Sequence, residues 1–184
     1  MNLLASSGQL RAGFMRWLLV CVPLIVLLGF LSGRTAQSGP ENPWFAELVK
    51  PAAYPPPATF GIVWTLLYIM LGVALALVLA ARGARGRGLA VGTFAVQFAL
   101  NLAWSPLFFG AHLMSVALVV IVAMLLAASA TTVLFWRIRP MAGALLLPYL
   151  VWLAFAAYLN FAFLSANPGM DGVQRSGAVE RFEI

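Results

Sequence analysis

The amino-acid sequence predicts an all-α fold, a polytopic membrane protein whose five transmembrane helices form one bundle. Of its 184 residues, 63% are hydrophobic and 9% are charged, which is too little charge for the surface of a soluble domain of this size. Five apolar runs, each near the roughly 20 residues that cross a bilayer as a helix, alternate with polar or proline-rich breaks. The runs predict spans at residues 17–31, 58–81, 89–108, 113–136 and 141–165, within a membrane domain of residues 17–167.

The first apolar run, residues 17–31, follows Arg11 and Arg16 in an N-terminal extension of residues 1–16. Two basic residues ahead of about fifteen apolar ones also resemble the start of a secretory signal peptide. No small-x-small cleavage site follows the run before the next basic residue, so we expect the segment to be retained as a span. Cys21 is the only cysteine, and an intramolecular disulfide is therefore impossible.

Between the first two spans, residues 32–57 form the only connection long enough to have a structure of its own. Proline fixes φ, lacks an N–H and pushes the preceding residue towards extended conformations, so the second half of this loop cannot be helical. We expect a stiff, extended loop that loses little entropy when it closes over a ligand. Its prolines are Pro43, Pro51, Pro55, Pro56 and Pro57.

The third span has two different faces when its residues are placed at 100° per step. Because an amide in hydrocarbon costs free energy unless it finds a partner, Gln97 and Asn101 should point into the bundle, either for an interhelical hydrogen bond or to anchor a ligand. The opposite face carries only small residues and can pack against a neighbouring helix or a second subunit. The polar face comprises Gln97, Asn101, Trp104 and Phe108, and the small face comprises Gly92, Ala95, Ala99 and Ala103.

Aromatic rows on the second and fifth spans match the polar face of the third. Tryptophan near the end of a span usually lies at the lipid headgroups, which suits Trp17, Trp44 and Trp136. Tryptophans inside a span beside polar groups indicate instead a pocket whose flat walls stack on a planar apolar ligand. We also expect kinks at Pro106 and Pro148. The rows are Phe60, Trp64 and Tyr68 on the second span, and Tyr149, Trp152, Ala156 and Asn160 on the fifth.

Basic residues outside the spans are unevenly distributed. The positive-inside rule places the richer side in the cytoplasm, together with the N-terminus, and the long loop on the far side. Helical spans favour a bacterial inner membrane. The net charge of +6 therefore reflects topology and not nucleic-acid binding. The richer side carries Arg11, Arg16, Arg82, Arg85, Arg87, Arg137 and Arg139, and the other side carries Arg34, Lys50, Arg175 and Arg181.

Residues that carry chemistry are scarce inside the spans. From the second span onward no Asp, Glu, Lys, Arg or His lies in a span interior, which disfavours ion-coupled transport. The single histidine, His112, is in a short connection, so a paired-histidine haem site is excluded, and no residues have metal-ligand spacing. We predict no catalytic residue, no metal and no required cofactor. The tail, residues 168–184, is polar and Gly-rich, and we expect it to be disordered.

The order of these residues resembles the TspO/MBR family, which comprises the tryptophan-rich sensory proteins of bacteria and the mitochondrial translocator protein. The likeness runs from about Trp44 to Asn167. It rests on Trp44-Phe45, Leu48, Lys50-Pro51, Pro55-Pro56, Phe60, Val63-Trp64 and Leu67-Tyr68, then on Gln97, Asn101-Leu102, Trp104-Ser105-Pro106 and Phe108-Phe109-Gly110, and finally on Pro148-Tyr149, Trp152, Phe155-Ala156 and Tyr158-Leu159-Asn160.

The resemblance implies a homodimer of five-helix subunits, each with a pocket under the first loop that binds porphyrins, such as haem, and other apolar ligands. It implies that the small face of the third span is the dimer contact. For the pocket wall it implies Trp64, Asn101, Trp104, Trp152 and Ala156, to which the aromatic rows add Tyr68 and Tyr149. For the lid it implies Lys50, Pro51, Pro55 and Pro56, preceded by Phe45.

The sequence departs from the family pattern at three places. Phe45 replaces the usual loop tyrosine, and Ala58 stands where many members have tryptophan, so the lid has fewer aromatic and hydroxyl groups. The sterol-recognition pattern needs a basic residue within five positions after its tyrosine, and none follows Tyr158. We therefore do not expect sterol binding through that motif.

Our leading hypothesis is a membrane receptor or sensor that binds a tetrapyrrole in the bundle under the first loop. Two alternatives stay open because one cavity could serve each of them. The first is an enzyme-like activity in which light and oxygen degrade the bound porphyrin. The second is passive passage of porphyrin or lipid across the membrane.

Overall fold

The computed structural model describes residues 7–173, and five long helices dominate this part of the chain. Each is long and apolar enough to cross a membrane, which confirms the predicted all-α bundle of an integral membrane protein. A short sixth helix, α2, lies in the first loop. The helices are α1 (Ser7–Thr35), α2 (Pro43–Glu47), α3 (Pro57–Ala80), α4 (Arg87–Ser105), α5 (Met114–Ile138) and α6 (Pro140–Ala166).

Four predicted spans agree with α3 to α6 within a few residues, whereas α1 extends well beyond residues 17–31 at both ends. The predicted bounds of the first span were those of its apolar run alone. A helix can continue past that run because its backbone hydrogen bonds do not depend on side-chain polarity. The first loop also differs from the prediction in its first half, where α2 forms. Asn42 caps α2 and Pro43 occupies its first turn, a position that needs no N–H.

The helices α1 and α3 approach each other closely because each has a glycine at the crossing. Gly72 of α3 lies against the backbone of Val22, and Gly29 of α1 lies against the ring of Tyr68. A Cβ atom at either glycine would overlap these neighbours. The first helix therefore packs closely against α3 and contacts the Tyr68 ring of its aromatic row.

The two span prolines behave differently. A π-helical turn, Pro106–Gly110, follows α4, whereas α6 continues as one helix through Pro148. Pro106 has no N–H for the Leu102 carbonyl, and the Ser32 hydroxyl of α1 donates to that carbonyl instead, with an Oγ–O distance of 2.6 Å. The freed backbone acceptor thus becomes a contact between α1 and α4.

Successive spans alternate in direction, so the bundle has two distinct ends. The loop end contains residues 36–56, the turn between the π-helical segment and α5, and residues 167–173. The basic end contains the start of α1, the α3–α4 turn and the α5–α6 turn. Of the eight arginines from Arg11 to Arg139, it holds all but Arg34. Among residues 7–173 every carboxylate belongs to the loop end: Glu41, Glu47 and Asp171.

The predicted disorder of residues 168–184 is wrong for the first six of these residues. Pro168–Met170 form a 3-10 turn, the Gly172 N–H donates to the His112 carbonyl at 2.8 Å, and the Asp171 carboxylate accepts from the Ser115 N–H at 3.2 Å. A carboxylate at the first turn of α5 also suits the positive end of the helix dipole. Residues 174–184, to which the prediction also applied, lie outside the described residues.

Candidate functional site

The first loop is fixed to the bundle by asparagine side chains at its two ends. The Asn42 Oδ1 atom accepts from the Phe45 N–H at 3.0 Å, and its Nδ2 atom donates to the Phe109 carbonyl at 3.1 Å. Asn167, at the end of α6, accepts from the Val49 N–H at 2.7 Å and donates to the Val49 carbonyl at 3.1 Å. Both asparagine side chains are buried, and their hydrogen bonds to the Phe109 and Val49 backbone are partly shielded from water.

Trp44 adds a third attachment. Its indole N–H donates to the Met170 carbonyl at 3.3 Å, and its ring stacks on His112 with centroids 4.5 Å apart and planes 13° apart. The His112 Nδ1 atom is 3.0 Å from the Val173 carbonyl. The first loop, the α4–α5 turn and the start of the tail are thus held together through one indole ring.

Lys50, which the family resemblance puts in the lid, has a structural contact of its own. Its Nζ atom donates to the carbonyls of Phe45, Ala46 and Leu48, at 2.5, 3.1 and 2.8 Å, and lies 4.7 Å from the centroid of the Phe45 ring. A cation at the end of α2 satisfies its last carbonyls and suits the negative end of its dipole. Desolvation lowers the pKa of this ammonium group from its ordinary value.

The other predicted lid residues lie in the extended part of the loop. A turn between Pro51 and Tyr54, closed by a 2.9 Å hydrogen bond, directs the chain to Pro55 and Pro56, which lead into α3. The Phe45 side chain faces the interior and is 2% exposed. It contacts the rings of Tyr54, Phe108, Phe109 and Phe163.

Tyr54 lies over the bundle interior on the loop side, and it was not among the predicted site residues. Its ring stacks on Phe60 at 5.5 Å and makes an edge contact with Phe163 at 5.6 Å. Burial raises the pKa of its phenol above the ordinary value of 10.0. The signal was available, because Tyr54 is the one aromatic residue between Pro51 and the Pro55–Pro57 run.

The rings of Tyr54, Phe60 and Phe163 form what we call the aromatic layer. Below it, three helices share a chain of four hydrogen-bonded polar side chains, which we call the amide network: Tyr68, Asn101, Tyr149 and Gln97. The Tyr68 hydroxyl donates to Asn101 Oδ1 at 3.0 Å, and Asn101 Nδ2 donates to the Tyr149 hydroxyl at 3.2 Å. That hydroxyl donates to Gln97 Oε1 at 2.8 Å. All four residues are buried, and the network links α3, α4 and α6.

Two buried donors, one in the network and one on the neighbouring Trp152, have no hydrogen-bond partner among the described residues: Gln97 Nε2 and Trp152 Nε1. Gln97 is 0% exposed, so its free N–H groups lie fully inside the bundle. A buried donor without a partner costs about 1–3 kcal/mol relative to a satisfied one. The interior of the bundle therefore offers two donors to an acceptor group of a ligand.

The predicted wall residues Trp64, Trp152 and Ala156 are half-buried and pack against the same core as the amide network. The Trp64 ring contacts Tyr68 at 5.3 Å and Tyr149 at 6.4 Å. Trp152 makes an edge contact with Phe60 of the aromatic layer, with ring centroids 5.8 Å apart. The structure thus brings the two aromatic rows and the amides together in one region of the bundle interior. Side chains fill this region.

Trp104 has partners that fix it in place. Its indole N–H donates to Asn160 Oδ1 at 3.1 Å, and Asn160 Nδ2 donates to the Met114 carbonyl at 2.9 Å. Its ring stacks on Phe108 with centroids 5.0 Å apart. Trp104 therefore joins α6, through Asn160, to the aromatic cluster at the loop end, and its donor is already in use.

The small face of α4 points away from the amide network. Gly92, Ala95 and Ala99 are exposed and Ala103 is half-buried, and nothing lies within 4 Å of a Cβ atom built on Gly92. Such a surface could receive a second helix at short distance. The role of these four residues in a dimer stays a prediction.

The chemistry available to this interior is stacking and hydrogen bonding. Within residues 7–173 no group of three or more His, Cys, Asp or Glu side chains could hold a metal ion. The groups that could orient a ligand are neutral: indoles, phenols and amides. The arrangement suits a flat apolar molecule with a few acceptor atoms.

Comparison with known proteins gives consistent matches over most of the chain. The TspO/MBR family profile matches residues 21–165. The tryptophan-rich protein TspO of Chlorobaculum tepidum is 41% identical over 152 residues, which cover 82% of this chain and 96% of that protein. The translocator protein of Homo sapiens is 40% identical over 150 residues, with coverages of 80% and 89%. The tryptophan-rich sensory protein of Cereibacter sphaeroides is 37% identical over 147 residues, with coverages of 77% and 91%.

Proposed function

Since the chain belongs to the TspO/MBR family, we propose that it is a membrane receptor or sensor that binds a porphyrin, or another flat apolar molecule, inside its bundle beneath the first loop. The observation that carries this proposal is the convergence of α3, α4 and α6. Trp64, Trp152 and the amide network face one interior, and two buried donors there have no partner.

The chemistry of a porphyrin complements these groups. Its macrocycle is flat and apolar and can stack on indole and phenol rings. Its two propionate groups are acceptors, and a donor from Gln97 or Trp152 would gain a charge-assisted hydrogen bond from a carboxylate. A ligand acceptor in this position removes the cost of an unsatisfied buried N–H.

Ligand entry from the loop side requires movement of the aromatic layer. Tyr54 and Phe60 lie between the loop and Trp152, so a macrocycle beneath them displaces at least the Tyr54 ring. The loop is attached through Asn42, Asn167 and Trp44, so this displacement reaches the α4–α5 turn and residues 167–173. A changed loop surface is the signal that we propose for a sensor.

The orientation and assembly follow from charge and surface shape. The basic end faces the cytoplasm of a bacterial inner membrane, as the positive-inside rule requires, and the loop end faces the opposite compartment. The exposed small face of α4 joins two copies in a homodimer.

The test is a titration of the purified protein with protoporphyrin IX, followed by quenching of tryptophan fluorescence. Trp152→Phe keeps an aromatic ring but removes the indole N–H, and Gln97→Leu removes the other free donor. Each should weaken binding about two- to tenfold, the usual effect of one hydrogen bond. Trp136→Phe, on the exposed surface at the basic end, is the matched control and should leave the Kd unchanged.

Unchanged affinity in both Trp152→Phe and Gln97→Leu would contradict the proposed binding position. The same samples distinguish the alternative functions. A spectrally distinct product that accumulates with turnover in light and oxygen would identify porphyrin degradation. Protein-dependent movement of porphyrin across a liposome membrane would identify transport.

A further inference from the structure

A separate cavity of about 570 Å³ lies at the basic end, away from the proposed porphyrin site. It lies between the first turns of α1, the end of α3 and the α5–α6 turn. A smaller cavity of about 200 Å³ adjoins it, and the two share Gly13, Arg16, Trp17 and Arg82. The larger cavity is lined by Gln9, Ala12, Gly13, Arg16, Trp17, Ala80, Ala81, Arg82 and Arg139.

Three arginines from three different segments face the larger cavity: Arg16, Arg82 and Arg139. All three side chains are exposed, and within residues 7–173 none of the three guanidinium groups makes a hydrogen bond or an ion pair. The carboxylates of that range lie at the opposite end of the bundle. The cavity therefore concentrates positive charge that no described side chain compensates, and it favours an anion.

The smaller cavity continues from the arginines along α1 towards the membrane interior. Its walls include Val20, one helical turn beyond Trp17, and Gly13, where nothing lies within 4 Å of a built Cβ atom. Val20 and Trp17 are exposed apolar residues of the first span. A basic opening that leads into an apolar groove suits an amphiphile with an anionic head, whereas a free anion would use only the opening.

We propose that the arginine cavity binds the headgroup of an anionic phospholipid, with its phosphate at Arg16, Arg82 and Arg139 and one acyl chain in the groove beside Gly13 and Val20. A guanidinium group binds phosphate oxygens through two parallel hydrogen bonds, so three of them can hold a phosphate strongly. Basic pockets between transmembrane helices bind anionic headgroups by this chemistry. The site goes beyond the proposed porphyrin function and involves none of its residues.

The test compares lipid retention by the full-length chain in detergent, measured by native mass spectrometry with phosphatidylglycerol and phosphatidylcholine of equal chain length. The triple variant Arg16→Gln/Arg82→Gln/Arg139→Gln removes the cavity arginines. The matched control, Arg11→Gln/Arg85→Gln/Arg137→Gln, removes three exposed arginines of the same end that line neither cavity. We expect the cavity triple to bind phosphatidylglycerol about tenfold more weakly, and the control triple to lose about twofold or less.

Two further arms separate the lipid from a free phosphate. Gly13→Leu fills the apolar groove at a position with open space, so it should weaken phosphatidylglycerol binding. Inorganic phosphate and glycerophosphoglycerol, which have the head chemistry but no acyl chain, should compete poorly even in large excess.

Equal losses in the two triple variants would overturn the proposal in favour of diffuse charge attraction. Effective competition by inorganic phosphate, or full binding by Gly13→Leu, would show an anion site without an acyl groove and would also overturn it. Protoporphyrin titration of the cavity triple should give the wild-type Kd. That control keeps a failure of this site distinct from a failure of the proposed porphyrin function.

Discussion

The two ends of this bundle are built in opposite ways. At the loop end, asparagine side chains hold the loop backbone, aromatic rings fill the space beneath it, and all the carboxylates of residues 7–173 are found there. At the basic end, short turns join the helices, seven arginines surround them, and a cavity of about 570 Å³ lies open between three segments.

Under the two proposals made above, the same five helices separate two kinds of recognition. Neutral rings and amides under a fixed loop select a ligand by shape and by a few hydrogen bonds. Uncompensated arginines at a membrane surface select by charge. The effects of substitution should therefore differ in kind between the ends, with stability and ligand access changing at the loop end and lipid preference at the basic end.

The largest effect on stability should come from Asn167→Ala. The side chain makes two hydrogen bonds to the Val49 backbone and one to the Phe163 carbonyl, and it is 6% exposed. Its loss leaves the partly buried N–H and carbonyl of Val49 without these partners, and we expect unfolding in mild detergent to become easier by about 2–4 kcal/mol. Arg85→Ala at the basic end is the control and should change stability by less than about 0.5 kcal/mol. Equal effects of the two substitutions would remove the contrast between the ends.

A smaller effect on stability, but a clear effect on ligand access, is expected for Tyr54→Ala. The substitution removes ring contacts with Phe45, Phe60 and Phe163, each worth about 0.5–1.5 kcal/mol, and opens the aromatic layer. Stopped-flow fluorescence should show faster association of protoporphyrin IX. Tyr158→Ala, on the exposed side of α6, is the control. An unchanged association rate in Tyr54→Ala would mean that the ligand does not enter past this ring.

Ser32→Ala should cost about 1 kcal/mol, the contribution of one hydrogen bond. The Ser32 hydroxyl satisfies the Leu102 carbonyl, which Pro106 leaves without its helical donor. Ser129 is a close control because its hydroxyl donates to the Leu125 carbonyl, which also accepts the helical Ser129 N–H. Thermal unfolding of the two variants should therefore differ, with Ser129→Ala close to wild type.

The smallest effect concerns pH. Burial raises the pKa of Tyr54 above its ordinary value of 10.0, so the folded state keeps the phenolic proton at pH values where the unfolded chain releases it. The sign follows from proton linkage: stability falls as pH rises beyond about 10, because the unfolded state binds fewer protons. Thermal unfolding between pH 8 and 11 should decline less in Tyr54→Phe than in wild type. An identical dependence of stability on pH in the two proteins would mean that the Tyr54 hydroxyl is exposed to water in the folded state.

Periodicity predicted the features that repeat along one helix. The inward direction of Gln97 and Asn101 followed from their spacing and from the cost of an amide in lipid, and both are buried. The five spans followed from apolar length alone. Apolar length did not predict the extended ends of α1, because a helix continues through polar residues at the membrane surface.

Features that join distant residues could not be read from the sequence. Ser32 meets Leu102 and Asn167 meets Val49 across separations of 70 and 118 residues, and no local pattern contains such pairs. The predicted lid, which includes Lys50 and the prolines after it, also has contacts that no local pattern contains. The prolines indicated a stiff segment, but the contact of Lys50 with the end of α2 depends on a short helix that forms only where Asn42 and Pro43 begin it.

The most direct test of the central claim is a structure of the protein with protoporphyrin IX bound. Our account predicts the macrocycle inside the bundle between Trp64 and Trp152, with Tyr54 displaced and an acceptor atom of the ligand within hydrogen-bond distance of Gln97 Nε2 or Trp152 Nε1. A porphyrin bound instead in the arginine cavity, or on the lipid-facing surface of α4, would contradict it.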